Sequence, residues 1–146
     1  MTGRGTDPDV EAERYQQALK MASYVDASGF DVVGLEEHHC ALNGWLPSPL
    51  VMAGGVVACT SQVSVNITAL LVTLYDPVRL AEDIAVLDLM SGGRFNFIAG
   101  LGYRPIEYHA VGREWDDRGA RLDETLETLL KAWQEIPLLI RVRPFR

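Results

Sequence analysis

The sequence predicts an α/β fold in which helices alternate with the strands of a parallel sheet. Two observations predict it. Short apolar runs rich in β-branched or aromatic residues alternate with longer stretches whose apolar residues recur at helical spacing. Asp-Pro or Ser-Pro pairs, which cap and open helices, begin three of those stretches, at residues 7–8, 48–49 and 76–77. Strict alternation of this kind requires crossover connections, and these give parallel strands.

In the first part of the chain we expect two helices around one strand. The first helix is predicted over residues 8–28, where the glycine that follows supplies a stop. A strand follows at residues 30–35, and its nearly continuous apolar composition predicts burial on both faces. The second helix is predicted from residue 49 to about residue 60. Its small residues suit close packing of a helix on a sheet.

In the next part a strand is predicted at residues 63–72, because Val, Ile and Thr favour extended structure. The third helix follows from Pro77 to the glycine pair at residues 92–93. A third strand is predicted at residues 95–99, directly after that glycine stop. These elements extend the alternation by one complete helix and two strands.

The last part of the chain follows the third strand. Residues 100–117 are predicted to form a long loop and residues 118–134 a fourth helix with a leucine-rich stripe. A short final strand is possible at residues 138–142.

Composition and charge exclude several classes of protein. The chain has 146 residues, of which 48% are hydrophobic and 23% charged, as expected for one globular domain. A net charge of −7 argues against a nucleic-acid partner. The apolar runs are too short to span a bilayer, and the polar, acidic N-terminus is unlike a secretory signal. Two cysteines without CxxC spacing favour a reducing compartment, so we expect a cytoplasmic protein.

Four ionisable residues, Glu36, Glu37, His38 and His39, follow the first strand. Functional groups of α/β proteins gather at the carboxyl ends of strands, so these side chains are candidates for a site. Neighbouring strand residues point in opposite directions, and only one histidine should face a pocket. Two alternatives stay open: a solvated loop, or a metal site that would need further ligands beyond His109.

Glycines follow the third strand at residues 100–102, and they resemble the start of a dinucleotide-binding GxGxxG sequence. Pro105 stands where the third glycine belongs, so that fingerprint fails. The glycines still allow the backbone to approach a flat ligand. Residues 103–109 could line a pocket or simply cover the end of the sheet. The SGGR sequence at residues 91–94 lies between a helix and a strand, at the opposite rim, and helix termination explains it better than phosphate binding.

Several segments together resemble the bacterial-luciferase-like flavin monooxygenases. They are GFDVVGLEEHH, LPSPLVMAGGVVACT, DPVRLAEDIAVLDLMSGGRFNFIAGLGYRPIEYHAVG and RGARLDETLETLLKAW, which lie within residues 7–133. The resemblance implies a TIM barrel that binds reduced FMN or a deazaflavin at its carboxyl rim. The implied reaction is oxidation of a small organic substrate by reduced flavin and O₂. A deazaflavin-dependent hydride-transfer enzyme is the alternative, because the same motifs serve both.

The resemblance also implies roles for individual residues. His38 matches the catalytic histidine, which acts as a base or hydrogen-bond partner near the reactive edge of the flavin. Thr68 and Ala69 match a strand-end bulge that often holds a non-proline cis peptide bond behind the flavin ring. The implied cofactor-binding residues come from three strand ends: Glu37, Thr68, Ala69, Gly100 and Tyr103.

The chain departs from the family pattern in length. Members begin with a strand before the first helix, and an eight-stranded barrel needs about 250 residues. The resemblance therefore predicts one incomplete domain over residues 1–146, without the first strand and the C-terminal half. Open sheet edges predict that the chain alone binds flavin weakly or not at all, or else self-associates into a homo-oligomer. Two further alternatives are a catalytically inactive half-barrel that acts only by association and a metal-dependent TIM-barrel hydrolase.

Overall fold

The computed structural model describes residues 7–41 and 44–134, in which helices and strands alternate. The elements are α1 (Pro8–Ala27), β1 (Val32–Leu35), α2 (Pro49–Cys59), β2 (Ser64–Leu70), α3 (Pro77–Ser91), β3 (Phe95–Ala99), α4 (Pro105–Ala110) and α5 (Arg118–Gln134). The strands form one parallel sheet in the order β1-β2-β3. The predicted α/β fold with a parallel sheet is therefore confirmed. The possible strand at residues 138–142 lies outside the described residues.

Helix boundaries follow from local chemistry, as the sequence indicates. The carboxylate of Asp76 accepts hydrogen bonds from the amides of Val78 (3.1 Å) and Arg79 (3.0 Å) at the start of α3. Asp7 caps α1 in the same way, and proline occupies the first turn of both helices. Gly92 ends α3 in the left-handed conformation, with a φ of 66°. The SGGR sequence is thus a helix end.

The helices cover one face of the sheet and leave the other face open within the described part of the chain. Val65, Ile67 and Phe95 point toward the helices and are buried. On the opposite face, 48% of Val32 and 60% of Ile98 are exposed. The prediction that the first strand is buried on both faces is therefore wrong. An apolar run indicates that a strand belongs to a hydrophobic core. It does not show whether both faces of the sheet are covered, and among the described residues one face is not.

The region after β3 also differs from the prediction. Residues 100–117 were expected to form a loop, but α4 lies within them. Proline favours the first turn of a helix, and Glu107 and Tyr108 are fully buried, so tertiary contacts stabilise a helix too short to persist alone. β2 ends at Leu70 rather than at residue 72, and a single 3₁₀ turn over Val72–Leu74 follows it.

The parallel sheet brings the carboxyl ends of all three strands to one edge. Residues 36–39, 71–75 and 100–104 follow these ends and lie next to one another there. We call this edge the carboxyl rim. None of the described helices is long and apolar enough to cross a membrane.

Candidate functional site at the carboxyl rim

Glu37 is the buried centre of the rim, with only 2% of its surface exposed. Its Oε2 accepts a hydrogen bond from the amide of Leu71 at 2.6 Å. Its Oε1 accepts from the Tyr75 hydroxyl at 2.5 Å and pairs with His39 Nε2 at 2.8 Å. A buried carboxylate needs such partners to offset its lost hydration. Glu37 therefore joins the end of β1 to the end of β2.

Tyr75 keeps its proton in this arrangement. Burial raises the pKa of the Tyr75 hydroxyl well above its usual value, and the nearby negative charge of Glu37 raises it further. The phenol therefore stays a donor to Glu37 over the whole working pH range of a protein.

Glu107 is a second buried carboxylate, which α4 brings to the rim. Its Oε1 accepts hydrogen bonds from the amide of His39 at 2.9 Å and from Arg104 Nη1 at 3.1 Å. The same Arg104 nitrogen donates to the carbonyl oxygen of His39 at 2.8 Å. His39 is thus held at its amide, its carbonyl and its ring. The two carboxylates and one guanidinium fix the backbone that carries the histidine pair.

His38 has different surroundings from His39. Its amide donates to the carbonyl oxygen of Leu46 at 3.0 Å, which anchors the loop after β1. Its ring lies against Trp45, with centroids 4.2 Å apart, and meets the edge of Tyr103 at 5.9 Å. The Nδ1 atom is buried 3.6 Å from Glu107 Oε1, and it makes no hydrogen bond with any described residue.

The alternative of a solvated loop is wrong for three of the four ionisable residues. The side chains of His38 and His39 are 18% and 22% exposed, and Glu37 is buried. Only Glu36 lies open to solvent. No cluster in the described ranges brings together three or more His, Cys, Asp or Glu side chains that could hold a metal ion.

The end of β2 has the irregular backbone that the resemblance led us to expect. The peptide bond between Thr68 and Ala69 is cis, and the register with β3 shifts between Thr68 and Leu70. Thr68 is exposed on the open face of the sheet. Asn66 lies two residues earlier on the same face, and its buried Oδ1 has no partner among residues 7–41 and 44–134.

Gly100 allows the ends of β2 and β3 to pack closely. Its amide donates to the carbonyl oxygen of Leu70 at 2.7 Å. A Cβ atom at this position would lie 2.7 Å from the Cβ of Ala69 and 3.2 Å from Leu71 Cδ2. Any larger residue would force the two strand ends apart.

Tyr108 holds residues 100–102 in place. Its ring is fully buried, and its hydroxyl hydrogen-bonds to the carbonyl oxygen of Leu101 and to Thr73 Oγ1. Gly102 adopts a φ of 79°, which few other residues tolerate. Beyond it Tyr103 is 68% exposed and stands beside His38.

Sequence reasoning singled out Tyr103 through the resemblance, treated the other residues of 103–109 as a group, and overlooked Trp45 and Tyr75. One signal for the group was available, because Arg104 and Glu107 stand three residues apart around a proline that opens a helix. Tyr75 and Trp45 gave no signal, since their partners are 38 and 7 residues away: Glu37 for Tyr75 and His38 for Trp45.

The family model described as luciferase-like monooxygenase matches residues 1–141. The chain belongs to this family. Among its relatives is the alkanal monooxygenase alpha chain of Photorhabdus laumondii subsp. laumondii, which is 31% identical over 110 residues. That match covers 75% of this chain and 31% of the relative. The chain spans about a third of the length of the curated relatives it matches.

Two solved structures of monooxygenases resemble this luciferase-like chain. RslO1 from Streptomyces bottropensis aligns with a TM-score of 0.81 and 29% identity, over 86% of this chain and 38% of that one. The oxygenating constituent of 3,6-diketocamphane monooxygenase from Pseudomonas putida, in complex with FMN, also aligns with a TM-score of 0.81. It is 22% identical and covers 92% of this chain and 37% of its own, so it shows the fold alone.

The luciferase-like fold of this chain is a partial TIM barrel. Three adjacent parallel strands carry helices on their outer face, and the open face corresponds to the barrel interior. The carboxyl rim, where TIM barrels carry their sites, holds the buried pair Glu37 and Glu107, the cis bond at Thr68 and the glycines after β3.

Proposed function

We propose that this luciferase-like chain forms the FMN-binding rim of a flavin-dependent monooxygenase that oxidises a small organic substrate with O₂. One observation carries the proposal: at the rim, the His38 ring contacts exposed Trp45 and Tyr103, and its buried Nδ1 makes no hydrogen bond to a described residue. A histidine in that position is able to bind a ligand. Family membership and the FMN-bound neighbour support flavin as that ligand.

The residues at the rim fit a flat, polar-edged cofactor. Thr68 is exposed at the end of the strand with Ala69 beside it, and the side-chain oxygen Oδ1 of Asn66 lacks a partner within the described residues. Gly100 and Tyr103 extend this surface beside His38. Reduced FMN, when bound, supplies the electrons that activate O₂.

Within this proposal His38 and its neighbour Glu37 have different roles. His38 would act as a base or hydrogen-bond partner of the flavin or substrate. Glu37 was expected to contact the cofactor, but its carboxylate already has three hydrogen-bond partners. We therefore propose that Glu37 serves the cofactor indirectly, by holding the strand ends that form its seat.

The test is an FMN titration followed by fluorescence. The chain spans about a third of the length of its relatives. We therefore expect weak FMN binding by the chain alone and stronger binding after it is mixed with the C-terminal half of a full-length family member. His38→Ala should weaken FMN binding to the mixture about tenfold, the value of one hydrogen bond. His109→Ala is the matched control, because His109 is exposed on α4.

Three results would contradict the proposal or change it. Equal FMN affinity in the wild type and His38→Ala would remove His38 from the site. Tight one-to-one binding by the monomeric chain alone would contradict a partial site. Tighter binding of a deazaflavin than of FMN in the same titration would favour the hydride-transfer alternative.

We also propose that residues 1–146 form one incomplete luciferase-like domain, located in the cytoplasm, which self-associates through its open sheet. Val32 is 48% exposed on the open face of the edge strand β1. Light scattering after size-exclusion chromatography should detect oligomers, and Val32→Lys should reduce them. Val51→Lys on α2, where Val51 is 79% exposed, is the control. A monomer at every concentration would contradict self-association, and oligomers without FMN binding would favour an inactive half-barrel.

A further inference from the structure

Two buried polar atoms at the carboxyl rim lack hydrogen-bond partners in the part of the chain that the structure describes. They are His38 Nδ1 and Glu107 Oε2. The two residues face each other, since His38 Nδ1 lies 3.6 Å from the other oxygen of Glu107, Oε1. An unpartnered polar atom in a protein interior is costly, so its persistence requires an explanation.

The carboxylate of Glu107 decides which nitrogen of His38 can carry a proton. A neutral imidazole has one N–H donor and one nitrogen lone pair. If the proton were on Nε2, the lone pair of Nδ1 would face the negative charge of Glu107, which is unfavourable. If the proton is on Nδ1, it faces the carboxylate of Glu107, whose Oε1 lies 3.6 Å away, and a closure of a few tenths of an ångström completes the bond.

We propose that Glu107 is a positioning residue that holds the proton on Nδ1 of His38 and leaves Nε2 free to accept a hydrogen bond from a ligand. Carboxylates select histidine tautomers in this way in catalytic triads and behind metal-bound histidines. Arg104 balances the charge of Glu107 and keeps its Oε1 in place. The role of Nε2 toward a ligand rests on the proposed function, but the choice of tautomer does not.

The neighbouring histidine provides an internal contrast. His39 Nε2 lies 2.8 Å from Glu37 Oε1, so His39 carries its proton on Nε2. Two adjacent histidines are therefore expected in opposite tautomers, each selected by its own buried carboxylate. A role for Glu107 that is merely structural, through the amide of His39, would not produce this difference.

The tautomers are read directly from the ring ¹⁵N shifts in a long-range ¹H–¹⁵N spectrum of the full chain. The spectrum is recorded at a pH of about 8.5, above the ordinary pKa of a free imidazole. The chain has three histidines, so single His→Gln variants assign every ring. In the wild type we expect His38 with its proton on Nδ1, His39 with its proton on Nε2, and exposed His109 as a mixture. A proton on Nε2 of His38 in the wild type would by itself overturn the proposal.

Glu107→Gln tests the cause of the tautomer. Its amide oxygen still accepts from His39, but the negative charge beside His38 is gone. The ratio of the Nδ1–H to the Nε2–H form of His38 should fall at least about tenfold, as expected for loss of a charge-assisted hydrogen bond. The His39 signals should stay unchanged. Exposed Glu114→Gln is the matched control and should leave both rings as they are.

An unchanged His38 ratio in folded Glu107→Gln would refute the proposal. If that variant does not fold, the wild-type tautomer still decides. The FMN titration is a separate measurement. If the tautomers are as expected but FMN does not bind, only the proposed function is rejected. If FMN binds but the tautomers differ from those expected, only the role of Glu107 is rejected.

Discussion

The two ends of the sheet use charge in different ways. At the amino end, both carboxylate oxygens of Asp26 accept two hydrogen bonds each. The donors lie before β2 and are the amide and hydroxyl of Ser61 and the amides of Gln62 and Val63, at 2.8–3.1 Å. Arg94, at the same end, donates from all three guanidinium nitrogens to backbone oxygens around it. Both charged side chains therefore serve to stabilise the fold.

At the carboxyl end only part of the polar surface is used in this way. Glu37 has three partners, but His38 Nδ1, Glu107 Oε2 and Asn66 Oδ1 have none in the described ranges. Asp88 Oδ2 and Arg121 Nε also lack partners in these ranges, but His38 Nδ1 and Glu107 Oε2 belong to two residues that face each other at the rim. Since unpartnered buried groups lower stability, this pair favours a surface that binds something further. The amino end stabilises the sheet, and the carboxyl end keeps polar atoms available for the site that we propose there.

The largest effect on this comparison should come from Glu37→Ala. It leaves the amide of Leu71, the hydroxyl of Tyr75 and the ring of His39 without their shared acceptor. We expect the free energy of unfolding to fall by about 3–5 kcal/mol, measured by urea denaturation. Glu36→Ala is the matched control, because Glu36 is the exposed neighbour, and it should change stability by less than about 0.5 kcal/mol. Similar losses in both variants would show that Glu37 does not tie the strands together.

Gly100→Ala should have the next largest effect. The added Cβ would lie 2.7 Å from the Cβ of Ala69, so the ends of β2 and β3 must separate. We expect a loss of about 1–3 kcal/mol in urea denaturation, together with weaker FMN binding if the proposed site is correct.

Gly119→Ala is the control for this substitution. Gly119 lies in α5 with no atom within 4 Å of an added Cβ. Alanine should stabilise the helix by about 0.5–1 kcal/mol, so the two variants should change stability in opposite directions. If Gly100→Ala left the free energy of unfolding unchanged, the ends of β2 and β3 would be less closely packed than the contacts of Gly100 indicate.

Asp26→Asn should have a smaller effect that depends on pH. Hydrogen bonds from the amides of Val63 and Ser61 hold the pKa of the Asp26 carboxyl at about 2, below its ordinary value of 3.8. A depressed pKa stabilises the fold above the unfolded value, and this contribution is lost as pH falls through about 2.

The stability difference between wild type and Asp26→Asn should therefore be full at pH 7 and shrink between about pH 4 and pH 2. Urea denaturation across this range measures it, with exposed Asp31→Asn as the control for loss of one negative charge. FMN binding should be unchanged in both variants. A pH-independent difference, or weaker FMN binding in Asp26→Asn, would contradict the separation of the two ends.

Much of the fold could be predicted because its causes are local. Asp76 caps α3 through amides two and three residues away, and Gly92 ends the same helix through its own backbone conformation. Such contacts lie within a few residues, so a short stretch of sequence contains them. α4 was missed because it is held by burial of Glu107 and Tyr108, and neither burial can be read from the neighbouring residues.

The sequence by itself determined the alternation of elements, the parallel sheet, and the position of Glu37, His38 and His39 at a strand end. The tertiary structure alone decided what each of these side chains does. Glu37 turns inward to Leu71, and Glu107 reaches His39 across 68 residues of chain, while the His38 ring lies against Trp45 with 18% of its side chain exposed. Strand periodicity decides on which side a residue lies, but a hydrogen bond requires a partner within about 3 Å, and distant parts of the chain meet at that distance only after folding.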